Sequence, residues 1–234
     1  MGLFLLVACQ APGPQTAPDV GQWPDLRTEY RDRGGAIYEL KPAQSKLRVY
    51  VYRAGAAARL GHNHVLTAPR FEGYVSVPNE QPSAATCEIR VPLAELLVDE
   101  PAVRAETGGA FSSLRSAADI EGTRRNMLGE QGLDTERYPQ LRLRCTAVEG
   151  DWPQLIAQVE VTLHGVSRIQ PVALQVERKP ESMHIQGSLL LKQSDYGITP
   201  FSVLGGLMAV QDTVVVRFDL RAEPLSRSPA LVGS

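Results

Sequence analysis

Leu155-Ile156-Ala157-Gln158-Val159-Glu160-Val161-Thr162-Leu163 is apolar at every odd position. Successive side chains of a β-strand point to opposite faces, so Leu155, Ala157, Val159, Val161 and Leu163 line one face of a half-buried strand. The same period runs outward in both directions. Downstream come Val172, Leu174 and Val176, then Met183, Ile185, Gly187, Leu189 and Leu191, and last Val214, Val216, Phe218 and Leu220. Upstream, Leu141, Leu143 and Cys145 alternate with Arg142 and Arg144, and Cys87, Ile89, Val91 and Leu93 follow the same rule. Phe71, Gly73, Val75 and Val77 alternate with Glu72, Tyr74 and Ser76, and Leu47, Val49 and Val51 with Arg48, Tyr50 and Tyr52. With a weaker strand near residues 58–66, about nine strands are predicted. Their close spacing points to an antiparallel meander or up-and-down barrel.

One interval breaks the period. Residues 101–137 carry no alternation, while Ser116 suits a helix N-cap and Ile120, Arg124, Met127 and Leu128 fall on one helical face. Gly129 and Gly132 then stop the helix. A helical insertion near residues 112–131 is therefore predicted between two strands, with helix elsewhere confined to short turns. A second irregular stretch, from Asp195 to Gln211, places Phe201, Val203, Leu204, Leu207 and Met208 beside Gly205-Gly206. It reads either as a lid over a pocket or as a loop packed on the barrel end.

The 234 residues are 43% hydrophobic and 21% charged, enough for one good core. A net charge of −2, with no basic stripe, argues against a nucleic-acid partner. No apolar run approaches eighteen residues, so no spanning helix is expected. The N-terminus, Met1-Gly2-Leu3-Phe4-Leu5-Leu6-Val7-Ala8-Cys9, looks like the end of a bacterial lipoprotein signal, with Leu6-Val7-Ala8-Cys9 as the lipobox. On that reading residues 1–8 are a signal remnant and Cys9 is lipidated. Residues 9–36 form a Pro-rich linker, the barrel occupies 37–224, and 225–234 is a disordered tail. Cys87 and Cys145 are then left as an even pair, suited equally to a disulfide or to two buried thiols.

Three segments resemble one family. Thr123-Arg124-Arg125-Asn126-Met127-Leu128, followed by Leu133-Asp134 and Arg137-Tyr138-Pro139, is similar to the helix signature of YceI-like proteins. Val161 to Arg168 resembles their "LTlhGvT" strand and turn, and Asp195-Tyr196-Gly197-Ile198 their late "dFGI" segment. The order and spacing agree from Tyr38 to about Glu223. The resemblance implies an all-β fold, a lipocalin-like extended antiparallel barrel of about eight strands with a helical insertion. It also implies export to the bacterial periplasm and binding of polyisoprenoids. Gln193 stands where many members carry a basic residue, Tyr196 replaces the usual Phe, and Gly61-His62-Asn63-His64 is found in only some members.

An eight-stranded barrel is wide enough for one small ligand or for its own side chains. Burial of roughly ten methylenes at about 0.8 kcal/mol each corresponds to about micromolar affinity, so an apolar lining suffices for a lipid carrier. His62 and His64, two apart, would share a strand face with Leu60 and Leu66 and look inward. They suit a lipid head group or structural hydrogen bonds, and less readily a metal, with His164 or His184 as third donor. Arg124 and Arg125 suit a phosphate or a solvated helix face. Phe71, Met127, Tyr196 and Phe201 complete the candidate ligand contacts.

No nucleophile elbow, CxxC, HExxH, P-loop or GxGxxG motif occurs, so the chain is expected to be no enzyme and to need no cofactor beyond a bound isoprenoid-like lipid. The expected setting is a periplasm-facing lipoprotein of the bacterial envelope, with Gln10 pointing to the outer membrane. Two rivals stand beside this reading: a metal- or redox-linked envelope protein using His62 and His64, and a ligand-free structural or partner-binding module.

Overall fold

The computed structural model describes residues 15–16 and 25–225. The lipobox with Cys9, most of the Pro-rich segment and the tail beyond Leu225 lie outside the described residues.

A strand that the alternation did not foresee, β1 (Ala36–Leu40), comes first, and the alternating segments then become β2 (Lys46–Val51), β3 (His64–Thr67), β4 (Glu72–Val77) and β5 (Thr86–Pro92). After the insertion come β6 (Gln140–Asp151), β7 (Gln154–Leu163), β8 (Val166–Lys179), β9 (Ser182–Lys192) and β10 (Thr213–Pro224). Eight of them close a circuit in the order β1-β4-β5-β6-β7-β8-β9-β10 and back to β1, every pair antiparallel. β1 and β2 follow one another along the same edge of β10, and β3 pairs with β2, so the wall extends past the closed ring. The chain is thus an all-β, lipocalin-like extended barrel with a helical insertion. The strand foreseen near residues 58–66 is shorter than the alternation suggested. Ala58–Leu60 is a 3-10 turn, and pairing begins only at His64.

Inward residues follow the predicted parity. Val161 and Ala157 on β7, Val172 and Val176 on β8, Met183 on β9 and Leu220 and Ala222 on β10 belong to one buried cluster. Gly187 has a local reason to lack a side chain. An added Cβ would lie 2.5 Å from the Phe218 ring and 2.8 Å from the Ala173 carbonyl oxygen. β8 and β9 stay paired from Leu174 opposite Gly187 to Lys179 opposite Ser182.

The inserted helix α3 forms as its sequence predicts. It spans Ala117–Leu128, with Ser116 and Asp119 in a reciprocal capping box and Gly129 at its C-cap. Two further helices depart from the expectation that helix would be confined to the insertion and short turns. One is α2 (Pro101–Thr107), with Pro101 at its first position.

The other is α1 (Leu26–Arg31), which lies inside the segment read as linker. Its Asp25 cap accepts from the Thr28 N–H at 2.7 Å. Leu26 and Tyr30 bury against Ile37 and Tyr74 outside the barrel, with the Tyr30 and Tyr74 rings 5.7 Å apart. Order therefore begins ahead of Ile37. Leu225, read as tail, packs on the same cluster and donates its N–H to the Ile37 carbonyl.

A second departure lies on the same wall. The outward residues of β4 and β5 are polar yet buried: Ser76 and Glu88 are each 1% exposed. Glu88 accepts from Arg142 Nε at 2.7 Å and Nη2 at 2.6 Å and from Arg90 Nε at 2.8 Å. Burial alone would raise its carboxyl, but these two guanidinium groups together hold it below its usual value.

Candidate functional site

The barrel interior divides along its axis. One end carries the turns 78–85, 151–153 and 180–181; the other carries the long connections 93–139 and 193–212. The second end is filled. Leu141, Val161, Leu163, Leu191 and Val214 bury there in one cluster with Phe71, Leu93, Tyr196 and Ile198. The first end is hollow. A cavity reaches from Ala85, Thr86 and Trp152 to mid-barrel, where Leu143, Val159, Leu189 and Val216 line it. The cavity proper is ≈ 100 Å³, and ≈ 910 Å³ when the open mouth and the crevices between side chains are counted. Among the described residues no polar atom faces it.

Cys87 and Cys145 form part of this wall, joined as a disulfide with Cα atoms 4.9 Å apart. The pairing follows from register. Glu88 lies opposite Arg144 in the antiparallel ladder, which sets Cys87 and Cys145 side by side on the inward face.

The structure places the candidate ligand contacts elsewhere. Phe71 is buried in the filled end and does not line the cavity, contrary to expectation. Tyr196 shares that end and is 3% exposed; its burial pushes the phenol up to about 12. Met127 packs against the edge of the core. Arg124 donates to the carbonyls of Ala94 and Leu96, so its guanidinium ties α3 to the preceding loop rather than facing a phosphate. Arg125 is solvated beside Glu121 at 3.8 Å.

Phe201 is 46% exposed, and the stretch foreseen as a lid is built into a small sheet instead. Ser202–Val203 pairs with Met208–Val210, which pairs with Arg53–Ala54, at the end away from the hollow. The segment is held by that strand pairing, while Phe201, Leu204 and Leu207 stay exposed.

His62 and His64 do not look into the barrel. The turn at Ala58–Leu60 delays the strand, so His62 stays outside it and is exposed, and Leu60 is 65% exposed. Partial desolvation, then the Arg115 charge, lowers the His62 pKa. His64 Nδ1 sits 2.6 Å from Asp99 Oδ2. Asp99 also accepts the Val65 N–H at 3.0 Å and pairs with buried Arg104 at 2.5 Å. Burial alone would raise the Asp99 carboxyl, but hydrogen bonds from His64, Val65 and Arg104 outweigh it and hold the group below its usual 3.8.

The other histidines are engaged apart from this pair. His164 Nδ1 lies 3.1 Å from the Tyr196 carbonyl oxygen, and His184 Nε2 lies 2.7 Å from Asp219 Oδ1. Among the described residues no group of three or more His, Cys, Asp or Glu side chains is arranged to hold a metal.

The residues that line the hollow were visible in sequence as a set, through their inward parity. Leu40, Ala85, Thr86, Val148 and Trp152 were not singled out: all but Val148 lie at strand ends and turns where the period is lost, and Val148 lies past a register shift in β6 that changes its parity from that of Cys145. An aromatic residue in the Asp151-Trp152-Pro153 turn was the available signal for one of them.

A search of curated proteins returned no match. Among solved structures, Burkholderia cenocepacia BcnA is similar, with 14% identity and a TM-score of 0.58 over 78% of this chain and 98% of that one. The Campylobacter jejuni YCEI protein has 10% identity and a TM-score of 0.50 over 69% of this chain and 85% of that one. At such identities the likeness speaks for the fold alone. Residues 38–222, from the first barrel strand to the last, match the YceI-like domain, and the chain belongs to that family.

Proposed function

We propose that this protein holds a long apolar molecule of isoprenoid or quinone type in its barrel and carries it in the bacterial envelope without transforming it. The observation that supports this most is the cavity wall, where Val159, Leu189, Val216 and their neighbours present only apolar atoms. Such a wall binds by excluding water and has nothing with which to polarise a bond. The cavity proper is short for a long chain, so binding requires side chains to yield. Met183 and Phe218 are the lining residues placed to do so, Met183 through its three flexible torsions.

Organic extraction of protein purified from its native host, followed by mass spectrometry, tests the proposal. A stoichiometric isoprenoid or quinone supports it, and an extract at background level overturns it. Leu189→Asp sharpens the test by setting a carboxylate against the bound chain. Retention should fall at least tenfold while the melting transition stays cooperative.

The envelope location is part of the same proposal. Cys9 would carry the lipid anchor, with Gln10 directing it to the outer membrane. Cys9→Ser should move the protein from the membrane fraction to the soluble periplasmic fraction. Unchanged fractionation would remove the anchor from the proposal and leave the barrel's role standing.

A further inference from the structure

The mouth of the hollow carries a cation, Arg178, beside Trp152. Arg178 lies on β8 at the same parity as Val172, Leu174 and Val176, so it projects from the inward face where the strand reaches the rim. Its neighbour across the ladder is Met183, a cavity-lining residue. The guanidinium carbon sits 4.8 Å from the centre of the Trp152 ring, and Trp152 itself lines the cavity.

The polar partners of Arg178 are few. Its Nε is buried and has no hydrogen-bond partner. Its ion pair is with Glu80, at 3.8 Å, and that carboxylate is 83% exposed. Such a pair is long and water-screened, so it holds the guanidinium only weakly. The same turn positions Trp152, whose Nε1 donates to the Glu80 carbonyl oxygen at 3.2 Å. Asn79 and Glu80 both adopt left-handed backbone, with φ of 51° and 59°, which turns the Glu80 carbonyl toward the ring.

We propose that Arg178 is the head-group site of the barrel, and that the ligand is an amphiphile whose anionic head pairs with this guanidinium while its chain enters past Trp152. The inference rests on the carrier reading above and adds the charge of the ligand and the end by which it is held. Arg178 offers several N–H donors in a fixed fork, the geometry that a phosphate or carboxylate takes up bidentately. A ligand anion would displace Glu80, whose loss to water is nearly free. Phosphate and carboxylate heads share this chemistry and are separated by the test.

The test is calorimetric titration of the full-length protein with decyl phosphate and decanoate below their micelle concentrations and with decanol below its solubility limit. Equal chains make the head the variable. Decyl phosphate or decanoate should bind at least about tenfold more tightly than decanol, the gain of a charge-assisted pair. The preferred anion identifies the head. Arg178→Leu should erase that preference and leave decanol binding within about twofold. Glu80→Gln should strengthen anion binding by about two- to fivefold, since it removes the competing carboxylate.

Equal binding of all three probes by the native protein overturns the inference and leaves the carrier reading intact. So does an Arg178→Leu variant that weakens decanol and anions alike. If Arg178→Leu does not fold, Glu80→Gln decides, and an unchanged or weakened anion affinity counts against the site. Failure of the native protein to bind any probe overturns the carrier reading and this inference together.

Discussion

Replacing both Cys87 and Cys145 with alanine should lower the unfolding free energy by about 4 kcal/mol, the loss expected for a bridge that closes a loop of this length. The two residues are 58 positions apart in sequence, and the enclosed segment includes the whole helical insertion. Without the bridge the unfolded chain regains the freedom of that loop, while the native ladder between β5 and β6 keeps its hydrogen bonds. Urea unfolding of the oxidised protein and the double variant measures the difference. The midpoint should fall, and the denaturant slope should rise because the unfolded chain expands. A change below about 1 kcal/mol would show that the bridge adds little to a wall already held by its neighbours.

Asp99→Ala should cost about 3–5 kcal/mol, the loss typical of a buried ion pair broken from one side. Asp99 is 1% exposed and Arg104 is 2% exposed, so the substitution leaves a guanidinium buried without its counter-charge. It also frees the Val65 N–H and His64. Arg104 would retain the carbonyl oxygens of Asn63 and Ser113, each at 2.9 Å, which limits the loss. The same carboxyl sets a pH dependence. Its pKa is lower folded than unfolded, so its stabilisation is complete above the ordinary carboxylate value and declines as pH falls through the folded value. Thermal melts from pH 7 downward should show the native protein losing stability more steeply than Asp99→Ala. Parallel curves would show that Asp99 does not carry this dependence.

Period two in the chain was enough to determine antiparallel strands in a meander or up-and-down barrel, and the family resemblance narrowed this to an eight-stranded lipocalin-like barrel. Whether Leu155, Val172 or Val216 faces inward is a property of one strand's own geometry, and neighbours twenty residues away do not alter it. Local chemistry also placed α3, because the Ser116 cap and Gly129 act within one helical turn. The cysteine pairing was legible only as one of two choices, since it depends on the register of β5 against β6.

Register and long-range packing decided the rest. His62 and His64 are two apart, which implies a shared face only if a strand already runs through both. The turn at Ala58–Leu60 withholds that strand, and Asp99, 35 residues away, claims His64. Tyr74 has outward parity and reads as solvent-facing, yet a helix from the supposed linker covers it, and outward Glu88 is buried between Arg90 and Arg142. Which half of the barrel is filled depends on which large residues arrive from the connections. Phe71 and Tyr196 plug one end, while Trp152 and Arg178 are left at the rim of the other. Inward parity is set residue by residue along a strand, but occupancy is set by volume contributed from distant parts of the chain, and that sum exists only once the strands have closed.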